Sequence, residues 1–213
     1  NATTSSCWLL ATGCDVQWRR GASLSSPRSH AGSAVLWQAD ASAHRLMVVG
    51  GCGPSDPTNY YRCPSEEVCV YDANADRWST SVSLPLAMAC EAEAIGGGAA
   101  VLALTNNTRF DSLAAEAPGC FLLDWRSNAA EWQAVAMPIE RLFGISLIGI
   151  GEHTLALVGG ETGRDAVDSI QLYDVRADRW WLREDWRLPR PSSFVCSAVV
   201  QYLACHVAYF SCR

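Results

Sequence analysis

The sequence predicts an all-β fold assembled from a repeated unit of four antiparallel strands. Three observations predict it. An apolar strand ending in Gly-Gly recurs at 46–51 (LMVVGG) and at 155–160 (LALVGG). Each copy is followed by a strand ending in Tyr-Asp, at Tyr71 and Asp72 and again at Tyr173 and Asp174. A tryptophan, Trp78 or Trp180, then stands six residues past that aspartate. Between the two lies a degraded copy, VLAL at 101–104, FLLD at 121–124 and the pair Glu131 and Trp132, which has lost both glycines and the tyrosine. A repeat spacing of roughly 50 residues marks one supersecondary unit copied in space.

This pattern resembles the kelch repeat, and the resemblance covers essentially the whole chain. It implies a kelch-like β-propeller, a single domain over 1–213, with blades of four strands named a to d from the axis outward. On that template, residues 1–20 form a partial blade supplying only strands c and d, CWLL at 7–10 and VQW at 16–18. The full blades then run over about 27–85, 87–138 and 139–189, and residues 190–213 supply only a and b of a further blade. Two outer strands at the start and two inner strands at the end together make a fourth blade, which the termini would share. Closure of that kind removes sheet edges. The kelch resemblance implies five to seven blades, usually six, so further blades elsewhere or a completing partner remain alternatives to a small ring.

The recurring residues have physical roles of their own. Paired glycines let a strand end turn sharply and let backbones approach closely. Asp72 and Asp174 are expected to cap the c–d turns through bonds to backbone N–H groups. Trp78, Trp132 and Trp180 are large enough to fill the wedge between blades.

Composition narrows the function classes. About half of the 213 residues are hydrophobic and 18% are charged, so a substantial core can form. A net charge of −6 leaves no basic surplus for a nucleic-acid backbone, and no nucleic-acid partner is expected. Every basic side chain among the 16 is arginine, which excludes Schiff-base lysine chemistry and the phosphate-loop motif. The stretch 193–212 is apolar enough to imitate a membrane span, but Gln201 and His206 near its middle and its alignment with 143–159 favour two buried strands.

Ten cysteines and two sequons, at Asn1 and Asn106, point to an oxidising compartment, extracellular or an organelle lumen, with the cytoplasm as the alternative. Candidate disulfides are Cys7 with Cys14 across the first c–d turn, Cys52 with Cys63 across a Pro- and Gly-containing loop, and Cys205 with Cys212 near the last strand. Closing a loop of about ten residues contributes roughly 2–3 kcal/mol in the chain-entropy account.

Catalytic constellations are missing from the sequence. Four histidines are scattered, no cysteine pair has the tight two-residue zinc spacing, and no nucleophile elbow or dinucleotide fingerprint occurs. No cofactor, metal or catalytic residue is expected. Binding is expected on the loops, which carry function on a rigid scaffold. The b–c loops at 51–66, 105–119 and 160–168 differ most; the first holds Tyr60, Tyr61 and Arg62 and the third Arg164. A second candidate surface is 179–187 (RWWLREDWR), where Trp181, Trp186 and Arg187 exceed what the repeat needs. The reading is a non-enzymatic interaction and scaffold module, a subunit binding other protein subunits. The alternative is a secreted or lumenal carbohydrate-binding or carbohydrate-modifying protein with its pocket on the loop face.

Overall fold

Short apolar runs bounded by glycine and aspartate turns are strand formers. The structure, a computed structural model, describes residues 5–11, 17–36, 45–53, 64–105, 119–127, 129–197 and 209–210. All regular elements among them are strands. A hairpin of β1 (Cys7–Ala11) and β2 (Gln17–Gly21) comes first. The first full blade is β3 (Gly32–Leu36), β4 (Arg45–Val49), β5 (Val68–Asp72) and β6 (Arg77–Thr80). The second is β7 (Cys90–Ile95), β8 (Ala100–Thr105), β9 (Cys120–Asp124) and β10 (Trp132–Ala134). The third is β11 (Ser146–Gly149), β12 (Thr154–Val158), β13 (Ser169–Asp174) and β14 (Arg179–Arg187). A short pair, β15 (Cys196–Ser197) with β16 (Tyr209–Phe210), follows.

Each full blade is an antiparallel meander in chain order, and the innermost strands β3, β7, β11 and β15 succeed one another side by side. Register places the repeat's large residues in one row across the sheet. Leu46 faces Tyr71, which faces Trp78; Leu155 faces Tyr173, which faces Trp180. The second blade keeps the row as Val101, Leu123 and Trp132.

The cores lie between blades. Met47, Val49, Val68 and Val70 of the first blade pack with Val101, Ala103, Leu123 and Trp132 of the second. Leu102 and Leu104, on the other face of β8, pack with Leu155, Leu157, Tyr173 and Trp180 of the third. Successive side chains of a strand point to opposite faces, so a sheet sandwiched between two neighbours needs both sets apolar. That is why the b and c strands read as unbroken apolar runs. The outer strand β6 is mostly exposed, by contrast.

Gly-Gly acts between blades. Gly51 N–H donates to Met88 O (2.8 Å), and Gly160 N–H donates to Ser192 O (2.8 Å), each acceptor lying in the segment that leads into the next blade. Both pairs have positive φ, 58° and 96° at Gly50 and Gly51, 59° and 112° at Gly159 and Gly160. A Cβ on Gly50 would lie 2.5 Å from Met88 O, and one on Gly159 2.7 Å from Ser192 O. No side chain fits there.

The two terminal pairs, β1–β2 and β15–β16, are separate two-stranded sheets with no ladder between them among the described residues. The strands of the three full blades lie within 32–80, 90–134 and 146–187. Also among the described residues, no helix is long and apolar enough to cross a membrane.

Gly160→Ala is expected to cost about 2–4 kcal/mol in urea unfolding, because its Cβ would meet Phe143 O at 2.7 Å in addition to the left-handed strain. Gly97→Ala, also at positive φ (66°) but with nothing within 4 Å of its Cβ, is expected to cost only about 1–2 kcal/mol. Equal costs would mean that backbone strain alone, and not inter-blade approach, fixes the paired glycines.

Candidate functional site

The c–d turns are built as the aspartates suggest. Asp72 Oδ1 accepts from the N–H groups of Asn74 and Ala75 (2.9 and 3.1 Å), and Asp174 Oδ1 from those of Arg176 and Ala177 (2.8 and 3.2 Å). A second aspartate then takes a left-handed conformation, Asp76 at φ 44° and Asp178 at φ 45°. Aspartate tolerates that backbone better than most residues. The turn aims its carboxylate at the preceding blade.

There it forms a two-point clamp on the backbone N–H and C=O of one residue. Asp76 Oδ1 accepts from Ala22 N–H (2.9 Å), while Trp78 Nε1–H donates to Ala22 O (2.9 Å). Asp178 Oδ1 accepts from Ala136 N–H (2.8 Å), while Trp180 Nε1–H donates to Ala136 O (2.8 Å). The tyrosine of the repeat completes the unit: Tyr71 and Tyr173 donate their hydroxyls to Asp76 and Asp178 (2.6 and 2.8 Å) and pack their rings on Trp78 and Trp180, with centroids 5.0 and 4.8 Å apart. Burial and the bond to Asp76 push the Tyr71 phenol up to about 12. Hydrogen bonds from Tyr71 and from Ala22 N–H, with Arg19 nearby, hold Asp76 below the usual aspartate value. Sequence reading assigned Trp to wedge filling and missed this clamp; the recurring aspartate two residues before each Trp was the available signal.

The second blade keeps only part of it. Trp132 Nε1–H donates to Val82 O (3.0 Å), but Leu123 stands where the tyrosine would be and Ala130 where the aspartate would be. At the end of β8, Thr105 replaces the first glycine of the pair and turns its hydroxyl back to its own blade, donating to Gly119 O (2.9 Å) and accepting from Gly119 N–H (2.8 Å).

A pocket of about 120 Å³ lies at that junction, between the end of β8 and the segment leading into the third blade. Leu104, Met137, Leu142, Phe143 and Leu157 supply apolar wall, with Thr105, Glu140 and Arg141 as its polar members. The Glu140 carboxylate accepts from the Ser169 hydroxyl (2.6 Å), and buried Gln171 bridges to the Glu140 backbone through both ends of its amide. Arg141 is exposed and has no partner among the described residues. Ile139, in the same segment, is 55% exposed; Phe194, whose ring lies against Gly144, is 67% exposed with φ 53°.

The first blade's lead-in is closed by an arginine instead. Arg28, buried, donates to Gly50 O (3.2 Å), Glu67 O (3.1 Å) and Ser26 Oγ (3.0 Å) and pairs with the Glu67 carboxylate. Burial works to raise the Glu67 carboxyl, but bonds from Ser25, Cys69 and Ser26 together with the Arg28 charge leave it lowered.

The residues singled out from sequence divide into three groups. Tyr60, Tyr61, Arg62, Cys14, Cys63, Cys205, Cys212 and Asn106 lie outside the described residues, and with them at least one member of each disulfide pair; Cys7 is half-buried and Cys52 buried. Arg164 is exposed on the third b–c loop, and Arg187 is paired with Asp168 at 2.7 Å. Trp181 does point away from Trp180, but that face is covered too: it packs, half-buried, against the cluster of Ile148, Ala156, Val158 and Leu172. Trp186 is the exposed one, at 39%, with the Arg183 guanidinium 4.4 Å above its ring and Asp185 holding that guanidinium. Trp18 is 66% exposed. Among the described residues no three His, Cys, Asp or Glu side chains gather as metal ligands would.

Asp76 titrates lower when folded than when unfolded, so its contribution is complete above the ordinary aspartate value of 3.8 and is lost as pH falls through the lower native value. Tyr71→Phe removes the first of its donors. The stability deficit of that variant is therefore expected to be largest above pH 5 and to shrink on acidification, read from urea midpoints between pH 7 and pH 2.5; a deficit independent of pH would remove Tyr71 as the cause.

No protein-family model matches the sequence. Over 116 residues the chain is 26% identical to Kelch-like protein 36 of Bos taurus, a stretch covering 54% of this chain and 18% of that protein. Among solved structures, that of YjhT is similar with a TM-score of 0.65 at 15% identity, over 91% of this chain and 64% of that one. The chain thus spans less than a fifth of the curated relative and 64% of the solved structure. Three four-stranded blades, the first and third carrying the repeat's Gly-Gly, Tyr-Asp and Trp in register, together with these likenesses, make the chain a kelch-like β-propeller in fold.

Proposed function

We propose that this propeller is a non-enzymatic protein-interaction module, working as a fixed subunit of a larger assembly and presenting the face made by its b–c and d–a connections. The observation that carries the reading is on that face. Ile139 and Phe194 expose large apolar side chains beside an apolar pocket, on segments tied to their neighbours by Gly160 and by Phe194 N–H, which donates to Gly144 O at 2.7 Å. Exposed apolar groups held on rigid backbone suit protein contact, because little conformational freedom is lost on binding. The kelch resemblance supports the same reading through its habit of binding proteins by loops. Trp186, stacked under Arg183 on the outer strand of the third blade, is a second contact point in this proposal.

The native mass of the particle holding this protein, isolated gently from its source, is expected to exceed several-fold that of the polypeptide itself. Trp186→Ser is expected to reduce co-purifying subunits without lowering the unfolding midpoint. Trp181→Ser is expected to lower the midpoint by roughly 2–4 kcal/mol, since it empties a packed site. A particle with the mass of the free polypeptide would overturn the subunit reading.

A further inference from the structure

We infer that the slot between the second and third blades is the seat of a single leucine side chain from a partner protein, taken from an internal segment that carries an acidic residue next to it. This rests on the interaction-module reading and adds the chemistry of the partner. The slot lies where the end of β8 meets the lead-in of the third blade. Elsewhere the paired glycines draw the next lead-in onto the end of strand b, Gly51 onto Met88 and Gly160 onto Ser192. At the end of β8 Thr105 takes the first glycine's place, the position matching Gly51 and Gly160 lies outside the described residues, and Leu142, the counterpart of Met88 and Ser192, lines the slot.

Size selects the occupant. At about 120 Å³ the pocket is far smaller than the roughly 300 Å³ or more of small-molecule sites. It approaches the roughly 150 Å³ cavity that accommodates one benzene-sized apolar group. Leu104, Met137, Leu142 and Phe143 make it apolar. Charge selects the neighbour: Arg141 is an exposed guanidinium with no partner among the described residues, while the nearby Glu140 carboxylate is taken up by Ser169. A carboxylate from the partner completes Arg141. Ile139 lies on the lining segment and Phe194 just past its end at Gly144, so apolar surface continues on both sides of the slot. That suits a chain running across it rather than one ending in it.

The protein carries its own reporter. Of its three methionines, Met47 and Met88 are fully buried in the core between the first and second blades, and Met137 alone lines the slot. With ¹³C-methyl methionine, the probes are three capped peptides, acetyl-Gly-Glu-Leu-Gly-amide and its Gln-Leu and Glu-Ala analogues. The Glu-Leu peptide is expected to move the Met137 methyl and leave Met47 and Met88 in place. The Gln-Leu peptide is expected to bind about three- to fivefold more weakly, and Arg141→Ala to erase that difference without changing the unfolding midpoint. The Glu-Ala peptide is expected to leave Met137 unmoved. A Met137 methyl that ignores the Glu-Leu peptide at millimolar concentration, or responds equally to all three, overturns the slot assignment. The subunit reading rests on native mass and stands or falls separately.

Discussion

The structure depends on one constraint: a blade sheet that is apolar on both faces must find a neighbour on each side, and the neighbours must be held at a fixed distance. The fixing is done at both ends of the sheet. Toward the outside, an aspartate and a tryptophan from one blade satisfy both backbone polar groups of a single residue in the blade before it. Toward the loop face, a glycine N–H bonds a carbonyl of the blade after it. Each bond is worth only about 1 kcal/mol net, but each also sets the spacing at which the inter-blade cores close, and burial of those cores supplies most of the stability.

Tyrosine, aspartate and tryptophan form one unit, which explains how the second blade has drifted. Tyr71 and Tyr173 donate to the same carboxylates that grip the preceding blade. A buried tyrosine without its acceptor would leave an unsatisfied hydroxyl, so loss of the aspartate removes the reason for the tyrosine. Leu123 and Ala130 replace both together. Trp132 survives because its indole N–H still reaches Val82 O and its ring still fills the core.

Drift at the other end of that blade has the opposite consequence. Replacing the first glycine by Thr105 adds bulk where the next lead-in would press and turns the hydrogen bonding inward to Gly119. The second and third blades are joined by the Asp178 and Trp180 clamp on Ala136, and the slot lies at the loop end of the same junction. The first blade solves the problem of its lead-in with charge, through Arg28 and Glu67. Such a buried pair costs desolvation and is kept in place by the carbonyls and hydroxyls around it.

Much of the fold was legible in the sequence. Unbroken apolar runs in strands b and c announce sheets covered on both faces, the six-residue step from Asp to Trp sets the c–d turn, and Gly-Gly marks a backbone approached from outside. These are local signals, because strand period and turn conformation are decided within a few residues. What the sequence could not supply is which peptide of another blade lies opposite. Asp76 reaches Ala22 across 54 residues and Asp178 reaches Ala136 across 42, and nothing local identifies those alanines. Trp181 illustrates the same limit: alternation correctly turned it away from Trp180, yet only the packing of the third blade shows that the far side is buried too. The slot beside Thr105 likewise draws its walls from 104–105, 137–145 and Leu157, the first more than 30 residues from the others in the numbering. Sequence determined the blade; the tertiary structure decided how blades meet, because that contact depends on surfaces brought together only when consecutive sheets stack.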